Sequence, residues 1–258
     1  MKLISSFFSI PKKGSLPKEN EDFYFPHEVE IERDRLSVAI ADGASEGFLS
    51  KLWSKILTIA FVNFDRTDLD VRVFTDFCID VYNYQSEKYI QKRRDNNNPL
   101  KWFEENLMVK GSFSTLLGVT FVNTTPEGGY WRSCSVGDSC LFQLRDNIIE
   151  TFPINDSSAF DNSPDLISTN PAYNQELENK VKVKTGDFLF GDSFFLMTDA
   201  IANWFLTQLE EDKRPWVTLE ELLETGCNGL TEYVDHLREE NRLKNDDVTI
   251  ARIRLTED

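Results

Sequence analysis

Val38-Ala39-Ile40-Ala41-Asp42-Gly43 closes a run of small and branched apolar residues that begins at Leu36 and stops on a carboxylate followed by a glycine. The composition is that of a buried strand, and a strand is a rigid platform whose last side chain projects from one rim of a sheet. The arrangement recurs along the chain. Phe194-Phe195-Leu196-Met197-Thr198 leads into Asp199, and Val248-Thr249-Ile250 follows Asp246-Asp247. A fourth acidic stretch, Asn20-Glu21-Asp22, precedes Phe23-Tyr24-Phe25. Carboxylates gathered on one rim repel one another unless a cation sits among them. Hard oxygen ligands of this kind select Mg2+, Mn2+ or Ca2+ over zinc.

Between these stretches the hydrophobic period changes. Leu49, Leu52, Trp53, Ile56, Leu57, Ala60, Phe61 and Phe64 recur at three- and four-residue steps, which predicts a long helix with Ser45 as its N-cap. A second helix is expected over residues 70–92 and a shorter one over 102–108. Strands are expected at 3–10, 112–122, 130–136, 140–145, 148–152, 180–184 and 193–198. Two helical patterns follow, 201–209 and 219–237, before a last strand at 248–255. Residues 153–175 are rich in Ser, Asn, Asp and Pro without clear periodicity, as expected of a functional loop or lid. Helices set among strands with no regular alternation predict an α+β fold. No Pro/Gly-rich linker divides the chain, so a single domain over 1–258 is expected.

With 258 residues, 40% hydrophobic content and 20 Phe, the chain can build a sizeable core. Lys+Arg 28 against Asp+Glu 44 gives a net charge of -16. That field repels phosphate backbones and anionic membranes, so no nucleic acid and no membrane is expected as partner. No apolar run approaches the roughly 20 residues that span a bilayer, and residues 1–10 lack a secretion-signal pattern. A cytoplasmic monomer is expected. Cys78, Cys134, Cys140 and Cys227 follow no metal-ligand spacing and read as reduced, structural thiols.

Taken in order, these segments resemble the metal-dependent serine/threonine protein phosphatases of the PP2C family, and in their compact arrangement its bacterial members. Asn20-Glu21-Asp22 resembles the first acidic motif and Val38 to Gly43 the Asp-Gly motif. Gly111-Ser112-Phe113-Ser114-Thr115-Leu116 resembles the small-residue strand that follows the helices. Ser135-Val136-Gly137-Asp138-Ser139 is similar to the family's Val-Gly-Asp-Ser, Gly191 to Asp199 to the segment ending in Ser-Asp-Gly, and Asn245-Asp246-Asp247-Val248-Thr249 to the terminal motif. Each is weak alone; six in order are specific.

The resemblance implies an α-β-β-α sandwich, two antiparallel sheets flanked by helix pairs. It implies that Asp22, Asp42, Asp199 and Asp246 ligate two Mg2+ or Mn2+ ions, with Asp42 bridging and Gly43 offering its carbonyl. Asp138, with Asp199, would hold a third ion, and Glu21 would act through water. Asp247 competes with its neighbour Asp246 for the last ligand position. The implied activity is hydrolysis of phosphoserine and phosphothreonine in proteins by water activated between the metals, without a protein nucleophile. A phosphoprotein substrate, and a cognate Ser/Thr kinase or its targets, are the implied partners.

The sequence departs from the family's pattern at three places. Ala44 stands where many relatives carry a histidine, and Ala200 replaces the glycine of Ser-Asp-Gly. Lys18 is the nearest cation to the position of a phosphate-binding arginine, with Lys12 and Lys13 further back; a lysine lacks the bidentate fork. His27 and His236 lie outside every motif. The alternatives are a catalytically inactive binding module of the same fold and, disfavoured by the charge, a two-metal phosphodiesterase.

Overall fold

In the computed structural model, residues 1–27, 30–64, 70–161, 163–225 and 227–257 are described; the side chains of 225, 227 and 228, and with them the thiol of Cys227, lie outside that description. Two antiparallel sheets stack face to face. The first has six strands in the order β3 (Glu30–Glu32), β1 (Lys2–Ile10), β13 (Val248–Thr256), β12 (Ser193–Met197), β8 (Cys140–Arg145) and β9 (Ile148–Phe152). The second has five, in the order β11 (Lys182–Leu189), β7 (Gly128–Val136), β6 (Leu116–Thr125), β4 (Arg35–Ala41) and β2 (Phe23–Phe25). A small ribbon joins β5 (Phe113–Ser114) to β10 (Ile167–Ser168).

The period of two along a strand separates three core layers. In β12, Phe194 and Leu196 enter the layer between the sheets, where they meet Leu3, Val38, Ile40 and Ile253. Phe121 and Phe194 pack edge to face there, 4.9 Å between ring centroids. Phe195 and Met197 point the other way, toward α5 (Asp199–Glu210), α6 (Pro215–Thr225) and α7 (Cys227–Glu239). In β4 the same alternation sends Ala39 and Ala41 toward α1 (Ser50–Asn63) and α2 (Val71–Asp95), against Trp53, Leu57 and Phe74. Small residues on that face let the helices approach closely. The order of layers is therefore helix, sheet, sheet, helix, as the resemblance implied.

Local boundaries differ from the expectations in instructive ways. Helix α1 begins at Ser50 behind Leu49, which adopts a left-handed conformation (φ 58), so Ser45 is a loop residue and not a cap. Asp70 does cap α2, accepting the N–H groups of Arg72 and Val73. Residues 219–237 divide between α6 and α7. The 153–175 segment holds β10 and two 3-10 turns, followed by the short α4 (Leu177–Lys180). Helix α3 (Trp102–Lys110) buries none of its residues; Arg93, at the end of α2, holds it through Glu104.

Candidate metal centre

The acidic motifs meet because the strands that carry them end on one rim of the sandwich. Asp22 enters β2, and Asp42-Gly43 leave β4, both from the five-stranded sheet. Asp199 follows β12 and Asp246 precedes β13, both from the six-stranded sheet, while Asp138 turns the chain between β7 and β8. Asp42, Gly43, Asp138, Asp199 and Asp246 all line one open cleft of about 600 Å³.

The backbone at the cleft floor is pinned. The Asp42 N–H donates to Thr115 Oγ1 (3.0 Å), and its carbonyl accepts from Ser114 Oγ (2.8 Å) and from the Thr115 N–H (2.9 Å). Gly43 bridges to Ser114. A Cβ on Gly43 would lie 2.8 Å from the Glu21 carbonyl oxygen and 3.0 Å from that of Ser50, so only glycine lets three chain segments close here.

The electrostatics are those of crowded anions. Burial, then the charges of Asp22, Asp199, Asp246 and Asp138, raise Asp42 well above the ordinary carboxylate range. Burial and the charge of Asp199 push Asp138 up to about 7. Asp22, 4% exposed, is pushed up to about 8 by burial and by Asp247. It sits behind the cleft rather than in its lining, with one oxygen accepting from Thr198 Oγ1 (3.0 Å). Its other oxygen, Asp22 Oδ1, is buried without a partner, as is Asp199 Oδ1. Buried carboxylate oxygens left in this state, beside a carbonyl-bearing glycine, are donors of the type that Mg2+ and Mn2+ take, so the residues fit such ions. Among the described residues no three carboxylate, thiol or imidazole groups close around one point as a ready-made cage, in keeping with their mutual repulsion.

The neighbouring aspartates of the last motif divide the work. Asp246 faces the cleft, whereas Asp247 accepts the N–H groups of Lys12 and Glu21 at 2.8 Å each and ties the end of β1 to the first acidic stretch. Glu21 is raised by burial and approached by Lys12 (3.9 Å), whose Nζ also donates to Ser45 Oγ (2.8 Å). Lys18 is exposed on a 3-10 turn and is not among the cleft residues. The cations that do line it are Lys110 and Lys244, neither of which any motif pointed to. Asp161, Pro164, Leu166 and Tyr173 form one wall, so the irregular 153–175 segment does border the site.

Other reactive side chains lie elsewhere. His27 stacks on Phe7 (4.9 Å), and His236 of α7 lies 3.4 Å from Glu240, just past the end of that helix. Cys78 and Cys134 are free thiols that burial pushes up to about 12 and about 11, and Cys140, also free, is raised by burial.

The sequence profile of the protein phosphatase 2C family matches residues 18–240: the chain belongs to that family. No curated protein sequence matches it. Among solved structures it is similar to the Mycobacterium tuberculosis serine/threonine phosphatase PstP/Ppp, at 17% identity and TM-score 0.54, covering 100% of both chains. It is also similar to the serine/threonine phosphatase Stp1 from Staphylococcus aureus, at 16% identity and TM-score 0.55, covering 99% of this chain and 96% of that one. A third is the catalytic domain of PstP in complex with two manganese ions, at 15% identity and TM-score 0.51, covering 99% and 100%. At these identities the likeness is one of fold. No helix among the described residues is long and apolar enough to cross a membrane.

Proposed function

We propose that the cleft is the active centre of a divalent-metal-dependent phosphatase acting on phosphoserine and phosphothreonine in proteins. One observation carries the reading: strand ends from both sheets bring Asp42, Asp138, Asp199 and Asp246 into a single cleft, where Asp42 and Asp138 are raised by burial and then by their neighbours' charge. Asp42, Asp199, Asp246 and the Gly43 carbonyl would hold two Mg2+ or Mn2+ ions, with Asp22 supporting from behind and Asp138 extending the site toward a third. When bound, such ions acidify water and offset charge on a transferring phosphoryl group. The chain's own residues do the rest. Ser114 and Thr115 fix Asp42, Lys110 and Lys244 offer ammonium groups to phosphate oxygens, and Asp161, Pro164, Leu166 and Tyr173 bound the space for a peptide.

The phosphate contact expected of Lys18 passes in this reading to Lys110 and Lys244, which face the cleft. The family and the absence of a thiol or imidazole from the cleft lining among the described residues support attack by water rather than by a side chain. The test is phosphate release from phosphoserine and phosphothreonine peptides with Mn2+, with Mg2+ and with EDTA. Release with metal that chelation abolishes is the expected result. No release with either metal contradicts the reading and favours an inactive binding module.

A further inference from the structure

The ammonium of Lys244 stands between two of the carboxylates assigned above to a cation. Its Nζ lies 3.1 Å from Asp199 Oδ2 and 2.8 Å from Asp246 Oδ2. Asp199 opens α5 beyond β12, and Asp246 leads into β13, so one lysine clamps the ends of two neighbouring strands. The contacts engage both oxygens of Asp246 but only one of Asp199. Asp246 Oδ1 accepts the Asp247 N–H (3.0 Å), and Asp199 Oδ1 is buried without a partner. A single positive charge is thus already placed where the repulsion between these two anions is relieved.

The backbone under Lys244 is anchored by hydrogen bonds, whereas its side chain is held by these two ion pairs at the edge of the cleft. Leu243 is buried, the Asp246 N–H donates to the Lys244 carbonyl (2.9 Å), and Arg238 Nη2 donates to the Asp246 carbonyl (2.6 Å). The Lys244 side chain itself is 55% exposed, and its four-carbon stem can swing outward by rotamer changes alone. Lys110 provides the contrast: it lines the same cleft, but its Nζ is engaged with exposed Glu46 (2.8 Å).

We propose that Lys244 is a resident counter-ion of the metal centre. It holds Asp199 and Asp246 together in the metal-free protein and releases both when a divalent cation is bound, so that the chain's own lysine competes for the site and sets its metal affinity. The proposal rests on the two-metal reading of the cleft. It concerns equilibrium binding and needs no turnover to be tested.

The experiment is calorimetric titration of Mn2+ into chelator-treated wild type, Lys244→Met, Lys244→Arg and Lys110→Met, with thermal melts of each in EDTA and in saturating Mn2+. Loss of a competing charge at ion-pair distance should tighten Mn2+ binding by Lys244→Met about tenfold, while Lys244→Arg and Lys110→Met stay within about threefold of wild type. Metal-free Lys244→Met should melt below metal-free wild type, and saturating Mn2+ should close the gap. Lys244→Gln serves if the Met variant aggregates. Unchanged or weaker Mn2+ binding by folded Lys244→Met, or equal tightening by Lys110→Met, overturns the proposal. Absence of Mn2+ binding by the wild type overturns the two-metal reading itself, and the proposal with it.

Discussion

A methyl group on Gly43 would press into two backbone carbonyls, those of Glu21 and Ser50, and backbone cannot rotate away as a side chain can. Gly43→Ala should therefore destabilise the protein by about 1–3 kcal/mol and displace the segment that carries Asp42. The urea midpoint of folded wild type and variant measures this; an unchanged midpoint would show that the three segments are not packed as described. The need for glycine is legible in the Asp-Gly pair, since a glycine directly after a strand-end residue marks a turn or a close backbone approach. Its partners are not. Glu21 and Ser50 approach from two other elements, and nothing local announces them. Lys244 shows the same limit, because the meaning of a lysine two residues before Asp246 depends on Asp199 across a strand boundary.

Strands and their terminal carboxylates were the most legible elements, because alternation in β4 and β12 serves two core layers at once and demands continuous apolar residues ending at the rim. The gathering of Asp42, Asp199 and Asp246 at one cleft could be read for that reason. The ends of helices were less legible. Ser45 has the chemistry of an N-cap, yet the chain makes a further turn at left-handed Leu49 before α1 starts, and Ser45 serves Lys12 instead. Lys12 and Asp247 are 235 residues apart in sequence and meet only because β1 and β13 pair along their full length. No spacing argument reaches so far. Lys18 illustrates the reverse: proximity to a motif in sequence suggested a phosphate contact, but the 3-10 turn that carries it is exposed and outside the cleft lining. The 153–175 segment was recognisable as irregular, while its place beside the cleft and the pairing of β10 with β5 inside it needed the other strands.

At the scale of the molecule, the two sheets bring together anions that the fold alone does not neutralise, and this sets the direction of its pH dependence. Asp22 is raised to about 8 and Asp138 to about 7, both from an ordinary 3.8. Between these values the folded, metal-free protein keeps protons that the unfolded chain releases, so its stability falls as pH rises. The contribution is complete below about 3.8 and lost as pH passes about 8. Carboxylates held low by basic partners, such as Glu239 by Lys13, act in the opposite sense only at lower pH. Chelator-treated protein should accordingly melt higher at about pH 6 than at about pH 8.5, and saturating Mn2+, which in the two-metal reading binds the ionised carboxylates, should flatten or reverse the trend. A metal-free melt that rises steadily from pH 6 to 8.5 would contradict the assigned shifts. The central claim, that the cleft carboxylates form a metal centre that hydrolyses phosphoester, is tested most directly at Asp42. Asp42→Asn keeps side-chain volume and backbone contacts while removing the charge, so phosphate release from a phosphothreonine peptide in Mn2+ should fall by a factor on the order of 100 or more, with circular dichroism and melt showing a folded protein. Near-normal release by folded Asp42→Asn would contradict it.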